Sequence, residues 1–313
     1  METTAPFRVL VTGGAGFVGS YVARALLDAG HAVVVLDDLS SGWATNVPLG
    51  VRLVEGDIRD AGGLAHILAQ AQPQGVVHCA AQVSVGASVA DPLNDSERNI
   101  TGTVKLLTAA AAAGVRSFVY SSSAAVYGTP GSVPIVETHP TRPLSPYGLS
   151  KLTAERYVTL LGQQFGLEWV CLRYANIYGP GQRALGGDGA VIPTFLQAFA
   201  AGRDPVIQGD GEQTRDFVYV EDVARANLLA LTGGVTGVFN IGSGKAISIN
   251  DLWKAEASLL GWDRPPVYGP PRPGDIRDSV LSAEAAAREL GWVPTTEFGA
   301  GLRATVAALK ASP

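Results

Sequence analysis

The heptapeptide SPYGLSK at residues 145–151 sets Tyr147 four positions before Lys151. On a helix that spacing is about one turn, so the phenol and the ammonium group would share a face. Ser145 can cap such a helix, Pro146 suits its first turn, and the apolar spacing of the following LTAERYVTLL continues it. A cation beside a phenol favours the phenolate and lowers a pKa that is about 10 in water, which would make Tyr147 a proton acceptor near neutral pH. Chance places a tyrosine–lysine pair at this spacing in roughly one chain in seven of this composition, so the pair carries weight only in company. The stretch SFVYSSSAAVYG supplies some: three hydroxyls end an apolar run that reads as a strand. Ser123, the last of them, can hydrogen-bond an alcohol that Tyr147 deprotonates, while Lys151 supports the phenolate and holds a ribose.

A second constellation lies near the N-terminus. VLVTGGAGFVGS places Gly13, Gly16 and Gly19 between an apolar run and a helical pattern. The first glycine permits a tight turn, the second lets backbone approach a pyrophosphate, and the third admits close helix packing. The spacing is GxxGxxG rather than GxGxxG. The next apolar run ends at Asp37, 18 residues beyond Gly19, where a carboxylate can accept hydrogen bonds from an adenosine ribose. A 2′-phosphate there would meet like charge, so the pattern favours NAD over NADP. Asp57, in EGDIRD, stands either near the adenine or at a helix cap.

These groups need elements to hold them. FRVLVTG, AVVVLDD, VRLVEGD, GVVHCAA, SFVYSSS and WVCLRYA read as strands, with helices predicted near residues 17–29, 62–71, 95–113 and 147–165. That rhythm predicts an α/β fold, a Rossmann-type doubly wound parallel sheet with helices on both faces. Beyond about residue 176 the rhythm breaks: YGPGQRALGGDG reads as a loop, VIPTFLQAFAAG as a helix and PPVYGPPRPGD as a proline-rich excursion. GVFNIG at 237–242 reads as a late strand returning to the main sheet. The expected organisation is a dinucleotide-binding domain over residues 1–175, joined by roughly 217–242, and a smaller interleaved substrate-binding region over the rest of 176–313, covering the carboxyl edge of the sheet.

With 313 residues, 47% of them hydrophobic, the chain can bury a large core, as one domain or two. Only 16% of residues are charged and the net charge is −5, which argues against a broad basic surface for nucleic acid. There is no basic leader with an apolar core and no apolar run near the roughly 18 residues of a membrane span, so a cytoplasmic protein is expected. Cys79 and Cys171 sit in apolar runs and read as reduced packing residues, and the four histidines lack ligand spacing, so no metal site is expected.

Taken together, TGGAGFVGS, LDDLSSG, GDIRD, HCAAQVSV, SSSAAVYG, SPYGLSK, LRYANIYGP, RDFVYVEDV and PRPGDIRDS span nearly the whole chain. In these ordered motifs it resembles the extended short-chain dehydrogenase/reductase family and, within it, the UDP-glucose 4-epimerase group of nucleotide-sugar enzymes. The resemblance implies Ser123, Tyr147 and Lys151 as catalytic hydroxyl, base and lysine, and an NAD site built on Gly13, Gly16, Gly19, Asp37 and Asp57. It also implies cofactor contacts from Phe17, Val18, Ile58, Ala80, Ala81, Gln82, Asn99, Ser121 and Tyr174. Asn176 matches a contact to the nucleotide-sugar phosphates, and Arg215, Arg272 and Asp275 match contacts to the diphosphate and uridine ribose. Ser84, Ala124, Ala125, Val191 and Ser279 complete the implied substrate site. A homodimer is implied as well, with the helices near 95–113 and 147–165 packing on their mates; Ile100, Val104 and Leu107 can serve that bundle or face the sheet.

The resemblance covers several reactions. Relatives that dehydrate or decarboxylate sugars carry an acid just after the catalytic hydroxyl, where this chain has Ala124 and Ala125, so epimerisation is favoured over elimination. The implied reaction is 4-epimerisation of a UDP-sugar, UDP-glucose or UDP-galactose, through a transient 4-keto sugar and NADH. Alternatives are a UDP-GlcNAc/GalNAc or UDP-glucuronate 4-epimerase, a net nucleotide-sugar reductase or dehydrogenase that consumes reductant stoichiometrically, and a silent dinucleotide-binding regulator with no need of Ser123, Tyr147 and Lys151 together. The resemblance of RPGDIRDS to the family places Ser279 where bulk would limit room for an N-acetyl group, so the small serine implies that UDP-GlcNAc also fits, while Arg183 and Arg277 can meet a uronate carboxylate or lie solvated at the surface.

Overall fold

The computed structural model describes residues 6–184, 190–272 and 274–311, so part of the predicted loop at 178–189 and Pro273 lie outside the described residues. In chain order the elements are β1 (Arg8–Thr12), α1 (Phe17–Asp28), β2 (Ala32–Asp37), β3 (Arg52–Glu55), α2 (Ala61–Ala71), β4 (Gly75–His78), α3 (Val85–Ala90), α4 (Pro92–Ser96), a π-helical turn (Glu97–Thr101) and α5 (Gly102–Ala112). There follow β5 (Ser117–Ser123), α6 (Pro146–Phe165), β6 (Glu168–Tyr174), β7 (Asn176–Tyr178), α7 (Val191–Ala200), β8 (Val206–Gln208), β9 (Thr214–Tyr219) and α8 (Val220–Thr232). The chain closes with β10 (Gly237–Ile241), β11 (Ala246–Ser248), α9 (Ile249–Leu260), β12 (Val267–Gly269), β13 (Asp278–Ser279) and α10 (Phe298–Ala311).

Seven strands form one parallel sheet in the order β10-β6-β5-β4-β1-β2-β3. The central runs read as strands are apolar on both faces because both faces are covered. On one face Val9, Val11, Val35 and Val170 pack with Val22 and Leu26 of α1 and with Val223 and Ala230 of α8. On the other, Leu10, Val76, Phe118 and Cys171 pack with Leu64 and Leu68 of α2, Leu106 and Leu107 of α5 and Val158 of α6. Strand order reverses between β1 and β4, and the loops leaving these two strands open a crevice at the carboxyl edge, where doubly wound sheets take ligands.

The smaller region has a core of its own, with Phe195 and Phe199 of α7, Leu252 and Trp253 of α9 and Leu302 of α10 around Phe217 and Tyr219. Its strands pair as β11-β9-β13, with β7 beside β9, and as β12-β8. The return expected at roughly 217 falls inside β9, which pairs in this small sheet while its Val218 packs into the main core with α8. The reason is pairing: Phe217 and Tyr219 sit in register with Asn176 and Tyr178 of β7. Later in the chain, Ala286, Leu290 and Trp292 return to the main core, where the Trp292 indole donates to the Asp222 carbonyl at 2.8 Å.

Candidate active site

The crevice is a cavity of about 430 Å³ that runs from the turn after β1 to the first turns of α6. Gly13 shapes its floor. Its φ is +69°, and a Cβ there would stand 2.6 Å from the Ala80 amide nitrogen, so only glycine lets the turns after β1 and β4 meet. A Cβ on Gly19 would strike the Gly13 carbonyl, so the first turn of α1 lies directly against the loop. Gly16, Phe17 and Val18 complete this end of the wall, with the N-terminus of α1 directed at it.

Asp37 ends β2, buried, and both its oxygens accept backbone amides, from Ala15 at 2.9 Å and from Leu39 at 2.8 Å. It therefore braces the glycine turn as well as opening a turn of its own, and each oxygen keeps a lone pair for a further donor. Asp57 and Ile58 also line this end. Asp57 grips Arg59 through both oxygens, and that hydrogen bonding holds its carboxyl below the usual range against the cost of burial. It caps no helix: Asp60 caps α2, accepting from the Gly62 amide at 3.0 Å.

At the opposite end stand Ser121, Ser122 and Ser123 of β5, Tyr147 and Lys151 of α6, and Tyr174 of β6. The helix starts as its sequence predicts, with the Ser145 hydroxyl accepting from the Gly148 amide at 3.1 Å and Pro146 in the first turn. Strand alternation splits the three serines. Ser121 donates toward the Cys79 sulfur at 3.3 Å and contacts the Tyr174 hydroxyl at 3.2 Å, whereas Ser122 turns to Glu155 at 2.7 Å. Glu155 and Arg173 form a buried ion pair at 2.6 Å that fastens α6 to β6.

The expected lowering of the Tyr147 pKa by Lys151 is not what the geometry gives. Tyr147 is half-buried with its hydroxyl deep, and burial raises its pKa; hydrogen bonding from Ser123 pulls down, and the Asp95 charge pushes up. Lys151, only 4% exposed, instead lays its Nζ 4.7 Å from the centre of the Tyr120 ring. Burial lowers its own pKa to about 8, partly offset by Cys79 and Asp95.

Ala80, Ala81, Ser84 and Asn176 also line the cavity. Gln82 and Asn99 stand just behind it, bonded to each other at 2.8 Å. Ala124 and Ala125 form the tight turn after Ser123, whose hydroxyl accepts from the Ala125 amide at 3.2 Å. Val191 opens α7 next to the lining residue Ala190. Arg215, Arg272, Asp275 and Ser279 lie off the cavity wall, around β9 and β13. Arg215 and Asp275 are paired with each other, and Arg215 also donates to the Ile276 carbonyl at 2.7 Å. Ser279 is held in register with Arg215 on neighbouring strands, so it does not bound the cavity beside Tyr147. Arg277 is committed to Asp210 at 2.8 Å, and Arg183 stacks 4.1 Å from the Trp43 ring centre.

Several lining residues escape a reading of the sequence. Cys79, read as packing, is on the wall, and both cysteines are free. Trp43 and Asn46 line the mouth because the Trp43 amide and the Asn46 side chain both donate to the Ala15 carbonyl, at 3.0 and 2.8 Å. Arg98 lines the same end and pairs with Asp38 at 3.3 Å. Such loop-to-loop ties have no periodicity to announce them. Among the described residues no cluster of three or more His, Cys, Asp or Glu could hold a metal, and no helix is long and apolar enough to cross a membrane.

A parallel sheet with a glycine turn at its switch point and a tyrosine–lysine helix beside it defines a class of dinucleotide-dependent enzymes. Residues 9–242 match the NAD dependent epimerase/dehydratase family, and the chain belongs to that family. It is 42% identical to the UDP-glucose 4-epimerase of Mycolicibacterium smegmatis, over 96% of this chain and 97% of that one. A UDP-glucose 4-epimerase from Thermotoga maritima, solved with UDP-glucose, superposes with a TM-score of 0.92 at 40% identity, covering 97% of this chain and 98% of the other. The Thermus thermophilus UDP-glucose 4-epimerase in complex with NAD gives 0.91 at 40% identity, over 97% and 99%.

Proposed function

We propose that the chain catalyses NAD-dependent 4-epimerisation of a UDP-sugar, with UDP-glucose and UDP-galactose as the interconverted pair. One observation carries the reading: Ser123, Tyr147 and Lys151 converge at one end of a cavity whose other end is the glycine turn. The similarity to UDP-glucose 4-epimerases over nearly the whole chain supports it.

In this reading Gly13, Gly16, Phe17, Val18 and Gly19 hold the pyrophosphate of NAD against the N-terminus of α1, and Asp37, with Asp57 and Ile58, takes the adenosine end. Gln82, Asn99, Ser121 and Tyr174 support the nicotinamide end behind Ala80 and Ala81. The bound dinucleotide supplies a hydride acceptor that can return what it takes, and a positive ring beside the phenol. Tyr147, kept protonated by burial in the structure, gives up that proton when positive charge outweighs the cost of desolvation, and then draws the proton from the sugar's 4-hydroxyl. Ser123 shares that hydroxyl and Lys151 holds a ribose. Ala124 and Ala125 can move no proton, which fits a reaction with no elimination. Ser84, at the cap of α3, belongs to the substrate side together with Asn176, Val191, Arg215, Arg272, Asp275 and Ser279 of the smaller region, which anchors the UDP while the keto sugar turns over. Arg215 and Asp275 would have to open their pair toward the nucleotide for that role.

The same reading includes a cytoplasmic homodimer. Support for the dimer comes from the outer face of α6, where Leu149 and Leu160 are 56% and 53% exposed and Tyr157 lies between them. Leu107 is buried against the sheet and is no part of such a contact. The deciding experiment supplies UDP-galactose to the purified protein without external reductant and follows products by NMR, with UDP-glucose, the N-acetyl forms and UDP-glucuronate in parallel. UDP-glucose should accumulate to an equilibrium mixture; conversion of none of these sugars, or turnover only with stoichiometric reductant, defeats the reading.

A further inference from the structure

Behind the cavity, one buried carboxylate organises a closed set of polar side chains. Asp95, 1% exposed, lies in α4, and its Oδ1 accepts from Gln82 Nε2 at 2.8 Å and Asn99 Nδ2 at 3.1 Å. Asn99 also accepts the Gln82 amide at 2.8 Å and donates to the Gln82 carbonyl and the Ser150 hydroxyl, both at 3.0 Å. It sits in the π-helical turn between α4 and α5, and such single wide turns are frequent at functional sites. Gln82 continues the set by bonding both backbone groups of Ser84, and Ser84 caps α3. From α3, the Ser88 hydroxyl accepts the Tyr147 amide at 3.1 Å.

We propose that Asp95 is a positioning residue for this active site: by holding Gln82 and Asn99 it fixes the loop that walls the cavity after β4 and, through Ser150 and α3, the turn of α6 that carries Tyr147 and Lys151. The proposal rests on the reading of the cavity as a dinucleotide site. A carboxylate that merely filled its own hydrogen bonds would not need this location. Asp95 is the nearby anion that both Tyr147 and Lys151 sense, holding each toward its protonated form. The other titratable groups that interact with these two are Tyr120 on β5, His78 on β4, Cys79 after β4, Cys171 on β6 and Glu155 on α6.

The two properties of Asp95 can be separated. Asparagine keeps an oxygen that accepts from Gln82 and Asn99 but removes the charge; alanine removes both. The measurements are the rate at which protein loaded with NAD releases it on dilution, the pH profile of sugar conversion, and thermal melting as a control on folding. Asp95→Ala should release NAD about tenfold faster, since it leaves two buried donors short of a partner. Asp95→Asn should stay within about threefold of the wild type in release. Its acid limb should move to lower pH, because loss of a neighbouring negative charge lowers the pKa of the phenol. Wild-type release by Asp95→Ala, release by Asp95→Asn as fast as by alanine, or an unmoved acid limb each overturn the proposal. If the alanine variant does not fold, the asparagine variant decides. If the wild type converts no nucleotide sugar, the functional reading fails on its own and NAD release alone judges Asp95.

Discussion

Burial drives the proton affinities of Tyr147 and Lys151 toward their neutral forms, raising the one and lowering the other to about 8. If conversion needs Lys151 charged, activity should decline as pH climbs through about 8, since an amine is charged only below its pKa. A profile flat to pH ~10, the unperturbed range of a lysine, would refute that role. The same burial costs stability. The folded pKa lies below the unfolded 10.5, so the unfolded chain binds more protons between about 8 and 10.5, and stability rises with pH across that window. Lys151→Met should therefore abolish turnover yet stabilise the protein at pH 7 by about 2 kcal/mol in urea unfolding; loss of stability would show that the ammonium group is repaid by contacts not recognised above. Residue types and spacings made the Tyr147–Lys151 pair legible in the sequence, but not the sign of its electrostatics, which depends on depth and on Asp95 arriving from another helix. Asp95 itself was hidden in PLNDSERNIT, a stretch polar enough to pass for a solvated helix face. Asp57 could be read as an adenine contact or as a helix cap, and the chain's path gives the cap of α2 to Asp60.

The turn after β1 works because a backbone in the left-handed region passes within contact distance of the loop after β4. Gly13→Ala should cost about 2 kcal/mol or more in stability and lose NAD binding outright, since the added methyl meets backbone that cannot rotate away; a variant that melts as the wild type and retains NAD would mean the two loops can part without harm. The central strands of the large sheet were readable because burial on both faces writes a nearly continuous apolar run into each, whereas the edge strand β3, with the sequence RLVE, was legible mainly by its place in the alternation. The small strands β7, β8, β11, β12 and β13 were not, for two or three residues hold no period and exist through partners far along the chain. Register decides the place of β9 in the same way: RDFVYV has the composition of a main-sheet strand, and its pairing with β7 assigns it to the small one.

For the molecule as a whole, the exposed Leu149, Tyr157 and Leu160 make α6 the element whose inner face bears chemistry while its outer face bears apolar surface. Leu160→Arg should convert a dimer to monomers in light scattering while leaving the monomer's melting within about 1 kcal/mol of the wild-type fold; an unchanged mass would move the contact elsewhere or remove it. The path of the chain has another effect. It leaves the large body after β6, comes back at α8 and β10, leaves again, and returns once more with Leu290 and Trp292. Neither lobe is a contiguous stretch, so neither can be excised, exchanged with a cousin's by recombination, or completed on the ribosome before the last turns of sequence emerge. New substrate preferences in such a scaffold must accumulate one substitution or one loop at a time.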